Sequence, residues 1–588
     1  MLAAPVLRLL QALPPALALF AGYAEAAAVP RPFCKRVSTR HGDLCAYQSQ
    51  GTGIDRFTVP YAKPPTGANR FADPVAIDRF PTDPAHSLSR HQSRSCRRKH
   101  YLSRDSFNAS VLPQPCAQVN PATGETIGSE DCLYLTVYTP GTATLPYAKL
   151  PVFVWIHGGS FTAGSTAALD ATAFAASQNV VVVMVQYRLG ALGWLKADDF
   201  GVAGNFGLKD VVDALKFVNW NIASFGGDPD RVTLAGQSSG AEIVKTLLVT
   251  PAADSFFHRA ILQSAPLDYP DLSVSTANTV GKHVVADILG LSDLASLRGA
   301  SVDSILQAQT QLAGEALALA SSMPDLSFAE PLKTVVDGSF VTRDFRQVVS
   351  SGGQLNIPSR NLLFTTVKEE GCASVGQMYE PFRLLRFTPR ALADEPLPSI
   401  SLTEPLPADY FTAYAYAFYP TRAEKILSSG LWDPSKLAGD SDAVRKQFSQ
   451  LATDFFWTCP NHLTSRNIAK ASAGTSKVYF GEFVAGIPYH PGQDRSICKN
   501  GVTHEDDILT IFTANPASSR YTWMQRTIAD QVQARWASFA RTGDPNAGEY
   551  SGWSAVTGGD GDLTGLAIGS SGGSIDQRTQ QCAVYTYA

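Results

Sequence analysis

The chain has 588 residues, 45% of them hydrophobic and 17% charged, with a formal net charge of −4. This is ordinary globular composition with ample apolar material for a core, and so small a charge implies neither a nucleic-acid partner nor a strongly acidic one. Length alone would suggest several domains, but large α/β enzymes routinely exceed that expectation.

At the N-terminus, Arg8 precedes an apolar stretch over residues 9–20, followed by the small residues Ala24-Glu25-Ala26-Ala27-Ala28. A positive flank, a short apolar run and an A-x-A site read as a secretory signal peptide over 1–28, with 29–588 as one domain and the mature protein extracellular. A membrane anchor fits less well, because Pro14 and Pro15 interrupt the run and it falls short of the ~20 residues that cross a bilayer. No later segment is long and apolar enough, so no integral membrane segment is expected. Nine cysteines suit an oxidising compartment, and the odd count leaves at least one without a partner in the chain.

Residues 82–110 are rich in Ser, Arg and His without apolar periodicity, which predicts a loop or disordered insert. Its basic run, Arg97-Arg98-Lys99-His100, is better read as a solvated loop than as a site for an anionic surface. Asn108-Ala109-Ser110 is a glycosylation sequon expected to be exposed there. If the insert is not tolerated, the chain would be inactive.

Next come short apolar runs at 151–156 and 180–185, which suit strands buried on both faces of a parallel sheet. Residues 208–222 carry Val211, Leu215, Val218 and Ile222 at helical spacing, and 231–235 is the next strand. Strand, helix, strand predicts a doubly wound α/β domain. That last strand runs into Gly236-Gln237-Ser238-Ser239-Gly240 and then a helix-like stretch. A G-x-S-x-G at a strand-to-helix turn is a nucleophile elbow: the serine backbone is strained, its neighbours two residues away need to lack side chains, and its hydroxyl lies near a helix N-terminus. Gly569-Ser570-Ser571-Gly572-Gly573 matches the same pattern, but no histidine follows it, so the order Ser, acid, His cannot be completed from Ser571.

An ester attacked by Ser238 becomes an oxyanion, for which each preplaced N–H donor is worth ~3–4 kcal/mol of barrier. His157-Gly158-Gly159 directly follows the strand at 151–156, so the expected donors are Gly158 and Gly159 with Ser239 as a third. His157 precedes the serine in the wrong chain order for a base and is read as structural.

The stretch Phe225-Gly226-Gly227-Asp228-Pro229-Asp230-Arg231 through Gly240 resembles the nucleophile signature of the type-B carboxylesterase/lipase family, which includes the cholinesterases. Glu130-Asp131-Cys132-Leu133-Tyr134-Leu135 resembles its second signature, with Thr136 where Asn, Asp or Ser is usual, and Pro60-Tyr61-Ala62-Lys63-Pro64-Pro65, Gln186-Tyr187-Arg188-Leu189-Gly190 and Gly204-Asn205-Phe206-Gly207-Leu208 match in order. The resemblance runs from about Phe33 to the C-terminus, outside 82–110, and implies the α/β-hydrolase fold: a large, mostly parallel central sheet with helices on both faces.

It also implies site residues. Lys368-Glu369-Glu370-Gly371 resembles the family's turn bearing the acid, which places the acid at Glu370; from the residues alone, Asp337 stands beside it as an alternative. Of the histidines that follow, the resemblance selects His504 as general base, while His462 and His490 are read as structural. With an ordinary imidazole value of about 6.5, His504 would accept the Ser238 proton at pH 7 and activity would fall on the acid side. Gln237 and Ser239 replace the family's frequent Glu and Ala and are expected to flank the chemistry and tune it. The resemblance further implies the pairs Cys116–Cys132 and Cys459–Cys582; Cys34–Cys45 is plausible by proximity, and Cys96 could compete.

The implied reaction is hydrolysis of a carboxylic ester of a small molecule or lipid through an acyl-enzyme, with no metal and no cofactor. Residues 117–131 contain no aromatic side chain, which argues against a choline ester. The alternatives are a triacylglycerol lipase with a lid and a non-catalytic adhesion-type member of the fold; the latter would be favoured by loss of the serine or histidine, and both are present. Oligomeric state is not legible.

Overall fold

The computed structural model describes residues 35–48, 52–81, 107–120, 123–141, 147–320, 322–323, 325–326, 330–351, 360–372, 406–419, 421–472, 474–489, 497–498, 501–512, 521–560, 562, 564–569, 575 and 578–585. The signal-peptide reading at 1–28, His490, Cys34, Cys96 and Ser571 fall outside them.

The strands in chain order are β1 (Lys35–Thr39), β2 (Gly42–Gln48), β3 (Ile54–Pro60), β4 (Phe107–Asn108), β5 (Gln118–Val119), β6 (Thr126–Ile127), β7 (Tyr134–Pro140), β8 (Leu150–Ile156) and β9 (Val181–Val185). They continue with β10 (Gly227–Gln237), β11 (Arg259–Gln263), β12 (Leu272–Ser273), β13 (Val335–Val336), β14 (Asn361–Val367), β15 (Val478–Phe483) and β16 (Leu566–Ile568). Twelve form one sheet, ordered β1-β2-β3-β7-β9-β8-β10-β11-β14-β15-β16, with β4 beside β2; β5–β6 and β12–β13 form separate pairs. From β9 to β16 every pairing is parallel, while β1, β2, β3, β7 and β9 pair antiparallel.

The central strands are apolar on both faces because both are covered. Val152, Val154 and Ile156 of β8 join the core on one side, where the helix Phe206–Asn221 packs through Leu208, Val211, Val212, Leu215 and Val218. Phe153 and Trp155 point the other way, to Val532, Trp536 and Phe539 of the helix Trp523–Thr542. Period-two alternation along a strand sends neighbouring side chains to opposite faces, so an uninterrupted apolar run signals a sheet between two helical layers. A third, aromatic cluster gathers Tyr269, Tyr414, Tyr419, Trp432, Phe455, Phe456, Trp457 and Tyr585.

The site's position follows from the strand order. From β8 the chain moves outward to β9 and then crosses back to β10 on the other side, so the order reverses between β8 and β10. In open α/β sheets, ligands bind at such a switch point, beyond the carboxyl ends of the strands. The last residues align there, with Gly236 opposite Ile156.

The insert reading needs correcting at its C-terminal edge. Phe107–Asn108 pairs with Leu44 and Cys45 of β2, and Phe107, Asn108 and Ala109 are buried. The sequon therefore begins on a strand, with Asn108 as its last residue. Asn108 is only 7% exposed, and its Oδ1 accepts the backbone N–H of Ser110 at 3.2 Å, which is not the exposed loop expected. Residues 82–106 lie outside the description.

Candidate active site

Ser238 follows β10 with φ 56° and ψ −127°, a backbone region that costs a non-glycine residue of order 1–3 kcal/mol, and the helix Ser239–Leu247 starts directly after it. Its N–H donates to Gln263 O at 2.9 Å, which ties the strained residue to the end of β11. The flanking glycines are required sterically. A Cβ on Gly236 would lie 2.5 Å from the carbonyl carbon of Gly240, and one on Gly240 would lie 2.6 Å from His157 O.

The loop after β8 packs on this turn. A Cβ on Gly158 would come within 2.9 Å of Ser238 Cβ, so the glycine is what lets the two segments touch. Among the described residues none accepts the N–H of Gly158 or Gly159, and Ser239 opens a helix whose first N–H groups have no intrahelical acceptor. The Ser239 side chain does more than flank the turn: its hydroxyl accepts the Phe161 N–H at 3.2 Å and anchors the glycine loop. His157 is buried, its ring 4.6 Å from that of Tyr187 and its Nδ1 2.8 Å from Gly158 O; burial pushes its pKa down to about 4, against that hydrogen bond.

Glu370 sits just beyond β14, fully buried. Its Oε1 accepts the Val367 N–H at 2.8 Å and its Oε2 lies 2.6 Å from His504 Nδ1. Glu369 turns elsewhere and accepts the Gly501 N–H at 3.1 Å. Asp337 is committed to a turn, accepting the N–H groups of Ser339, Phe340 and Val341 and the Asn205 amide, and it makes no bond to His504. His462 is buried against Phe480, with ring centroids 3.9 Å apart, and burial together with Arg578 lowers its pKa to about 3.

The imidazole of His504 faces a different balance. Burial opposes its charge, but the hydrogen bond and the negative charge of Glu370 outweigh burial and raise its pKa to about 9. The expectation of an ordinary value near 6.5 is thereby corrected: a buried carboxylate in direct contact keeps the proton on the imidazole. The Gln237 amide, fully buried, reaches His504 Nε2 at 3.3 Å, so it too touches the ring directly. Gln237 and Ser238 are consecutive, which puts Nε2 of the imidazole at the elbow.

Several contacts around the pair have no sequence signal. Trp457 lies with its ring 5.4 Å from that of His504 and is held by a bond from Nε1 to Ser264 O at 3.1 Å. Asp507 is buried three residues after His504; its Oδ2 accepts from Gln263 Nε2 at 2.6 Å, and burial plus the Glu370 charge raise its carboxyl to about 7. Thr453 accepts the Gly371 N–H at 2.9 Å. Cys116 is bonded to Cys132 and Cys459 to Cys582, and a third disulfide, Cys372–Cys498, joins two cysteines left unpaired by the sequence reading. Cys45 is also disulfide-bonded. Among the described residues no group of His, Cys, Asp and Glu has the arrangement of a metal site, and no helix is long and apolar enough to cross a membrane.

The pattern of the carboxylesterase family matches residues 36–585. Mouse (Mus musculus) carboxylesterase 1D is 30% identical over 514 residues, covering 84% of this chain and 82% of that protein. Human (Homo sapiens) cocaine esterase is 29% identical over 528 residues, covering 86% and 82% respectively. Among solved structures, a PNB esterase superimposes with a TM-score of 0.68 at 23% identity over 94% of this chain and 100% of that one, a likeness of fold.

Proposed function

The chain belongs to the carboxylesterase family and is a carboxylic ester hydrolase of the α/β-hydrolase fold; from that premise we propose a secreted serine esterase working through Ser238, Glu370 and His504. The observation that carries this reading is the 2.6 Å bond between Glu370 and His504 Nδ1, formed while the opposite nitrogen of the same ring lies beside the residue preceding Ser238.

In this reading Ser238 Oγ attacks the ester carbonyl and His504 Nε2 takes its proton. Glu370 keeps the ring in the tautomer with hydrogen on Nδ1 and stabilises the imidazolium, without itself becoming protonated. The N–H groups of Gly158, Gly159 and Ser239 receive the oxyanion. His504 then returns its proton to the departing alcohol, leaving an acyl-Ser238 ester. Water, deprotonated by the same ring, releases the acid and restores the serine. The steps draw on no metal or cofactor. Substrates are esters of small molecules or lipids. Secretion is supported by the leader-like residues 1–28 and by disulfide bonds, which persist in oxidising compartments.

A fluorophosphonate probe tests the assignment. The label is expected on the peptide containing Ser238, and Ser238→Ala is expected to abolish it and lower kcat on p-nitrophenyl butyrate by about 10⁴- to 10⁶-fold. Labelling of a different serine, with the alanine variant still active, would sink the proposal.

A further inference from the structure

We propose that the Cys372–Cys498 disulfide is a positioning device for the ester-cleaving pair, clamping the segment that carries Glu370 to the loop that carries His504. The inference rests on the catalytic reading above and adds to it a covalent tie between acid and base.

The acid and the base lie 134 residues apart in sequence, and they meet because two segments run side by side. Glu369 and Thr503 form an isolated parallel bridge, Glu369 N donates to Val502 O at 3.1 Å, and Gly501 N donates to the Glu369 carboxylate at 3.1 Å. These bonds lie beside the Glu370–His504 contact and link the same two segments. The first segment is held at the end of β14 in the sheet. The second lies between β15 and the short helix Ile508–Ile511, outside any regular element, and includes Glu505 at φ 76°. Cys372 stands two residues after Glu370 and Cys498 six residues before His504, so the cross-link joins the same two segments close to the pair. Cys116–Cys132 and Cys459–Cys582 join other parts of the chain.

The tie matters because the pair tolerates little play. A catalytic constellation holds its geometry to within about 0.5 Å, and a misplacement of about 1 Å can cost about 100-fold in rate. A 2.6 Å bond between a loop and the end of β14 reaches that tolerance where the loop is anchored on both sides. A disulfide that only stabilised the folded state would leave the chemistry of folded molecules unchanged, and that difference is measurable.

The test is the double variant Cys372→Ser/Cys498→Ser, assayed on p-nitrophenyl butyrate well below its melting temperature. The expected result is a fall in kcat of about 10- to 100-fold with KM within about twofold, and an acid limb of the pH profile displaced to lower pH as His504 loses part of its contact with Glu370. An unchanged kcat and pH limb in the folded variant overturns the proposal, as does a change confined to KM. If the variant does not fold, wild-type protein partially reduced with dithiothreitol gives the same readout. The disulfide takes two electrons and two protons as the dithiol closes to its ring disulfide, and iodoacetamide then marks both cysteines. Loss of kcat is expected to track alkylation of Cys498, and full activity in molecules alkylated at both cysteines overturns the proposal. Failure of the catalytic reading shows separately, as activity of Ser238→Ala with the disulfide intact.

Discussion

Three histidines of this chain hold their protons very differently. Burial drives His157 down to about 4, and burial with the nearby Arg578 charge drives His462 to about 3, so both are neutral at pH 7. His504, its side chain 13% exposed, also loses solvation, yet the Glu370 carboxylate at 2.6 Å raises it to about 9. Since only the neutral ring can accept the serine proton, the acid limb of kcat/KM is expected above pH 6.5. Replacing Glu370 with Gln removes the leading raising charge and leaves burial against the weaker pull of Glu505 and Asp507, so the limb is expected to move to lower pH while kcat falls by about 10⁴-fold. A pH profile of both proteins checks this, and a limb that stays in place would contradict the assigned cause. The same shift bears on stability. A pKa raised in the folded state contributes stability below pH 6.5 that is lost as pH rises through about 9, and the melting temperature of the wild type should fall across that window more than that of Glu370→Gln. The sequence pointed to His504 through its resemblance to the family's base loop. It could not supply the proton affinity, because the group that sets it lies 134 residues away.

At the scale of elements, the elbow was legible because everything it needs is contiguous: an apolar strand, two glycines around a serine, and a helix-forming stretch. The structure adds what each glycine avoids. Gly240→Ala would drive a Cβ to 2.6 Å from His157 O, backbone that belongs to the neighbouring strand's loop and has little room to move. The expected result is a loss of both stability and activity, by about 1–3 kcal/mol in unfolding free energy, read by denaturant titration. An alanine variant with wild-type stability and rate would show that the turn is looser than drawn. Strand and helix limits moved by a few residues, with 208–222 becoming Phe206–Asn221 and 231–235 becoming Gly227–Gln237. The residues 107–110 were misread for a different reason. Their local composition is polar, but β2 offers them a strand edge, and pairing with it buries Phe107 and Ala109. Local pattern carries no record of such a partner.

Across the whole molecule, the C-terminal segment returns to the middle of the chain. Arg578 binds Asp454 and donates to Lys368 O at 2.9 Å, Tyr585 donates to Asp268 at 2.7 Å, and Cys582 is bonded to Cys459. The segment thereby closes the aromatic cluster that includes Trp457, the ring beside His504. Cys459–Cys582 spans 123 residues and Cys116–Cys132 only 16. Loop entropy assigns about 4–5 kcal/mol to a loop of the longer kind and about 3 kcal/mol to the shorter. Cys459→Ser/Cys582→Ser is therefore expected to lower the melting temperature by a few degrees, and by more than Cys116→Ser/Cys132→Ser, in paired calorimetric scans. The reverse ranking would place the stabilisation in native packing instead of in the unfolded chain.

The amino-acid sequence by itself determined the family, the strand-turn-helix bearing Ser238 and the glycine loop beside it. Each is written in neighbouring residues, where backbone sterics and side-chain periodicity act over a few positions. Only the tertiary structure decided that Glu370 and not Glu369 or Asp337 meets His504, that Gln237 reaches the same ring, that Cys372 and Cys498 bond, and that Asn108 is buried. Those outcomes depend on which distant segments the twelve-stranded sheet brings together, and on the low dielectric created when they close around a charge.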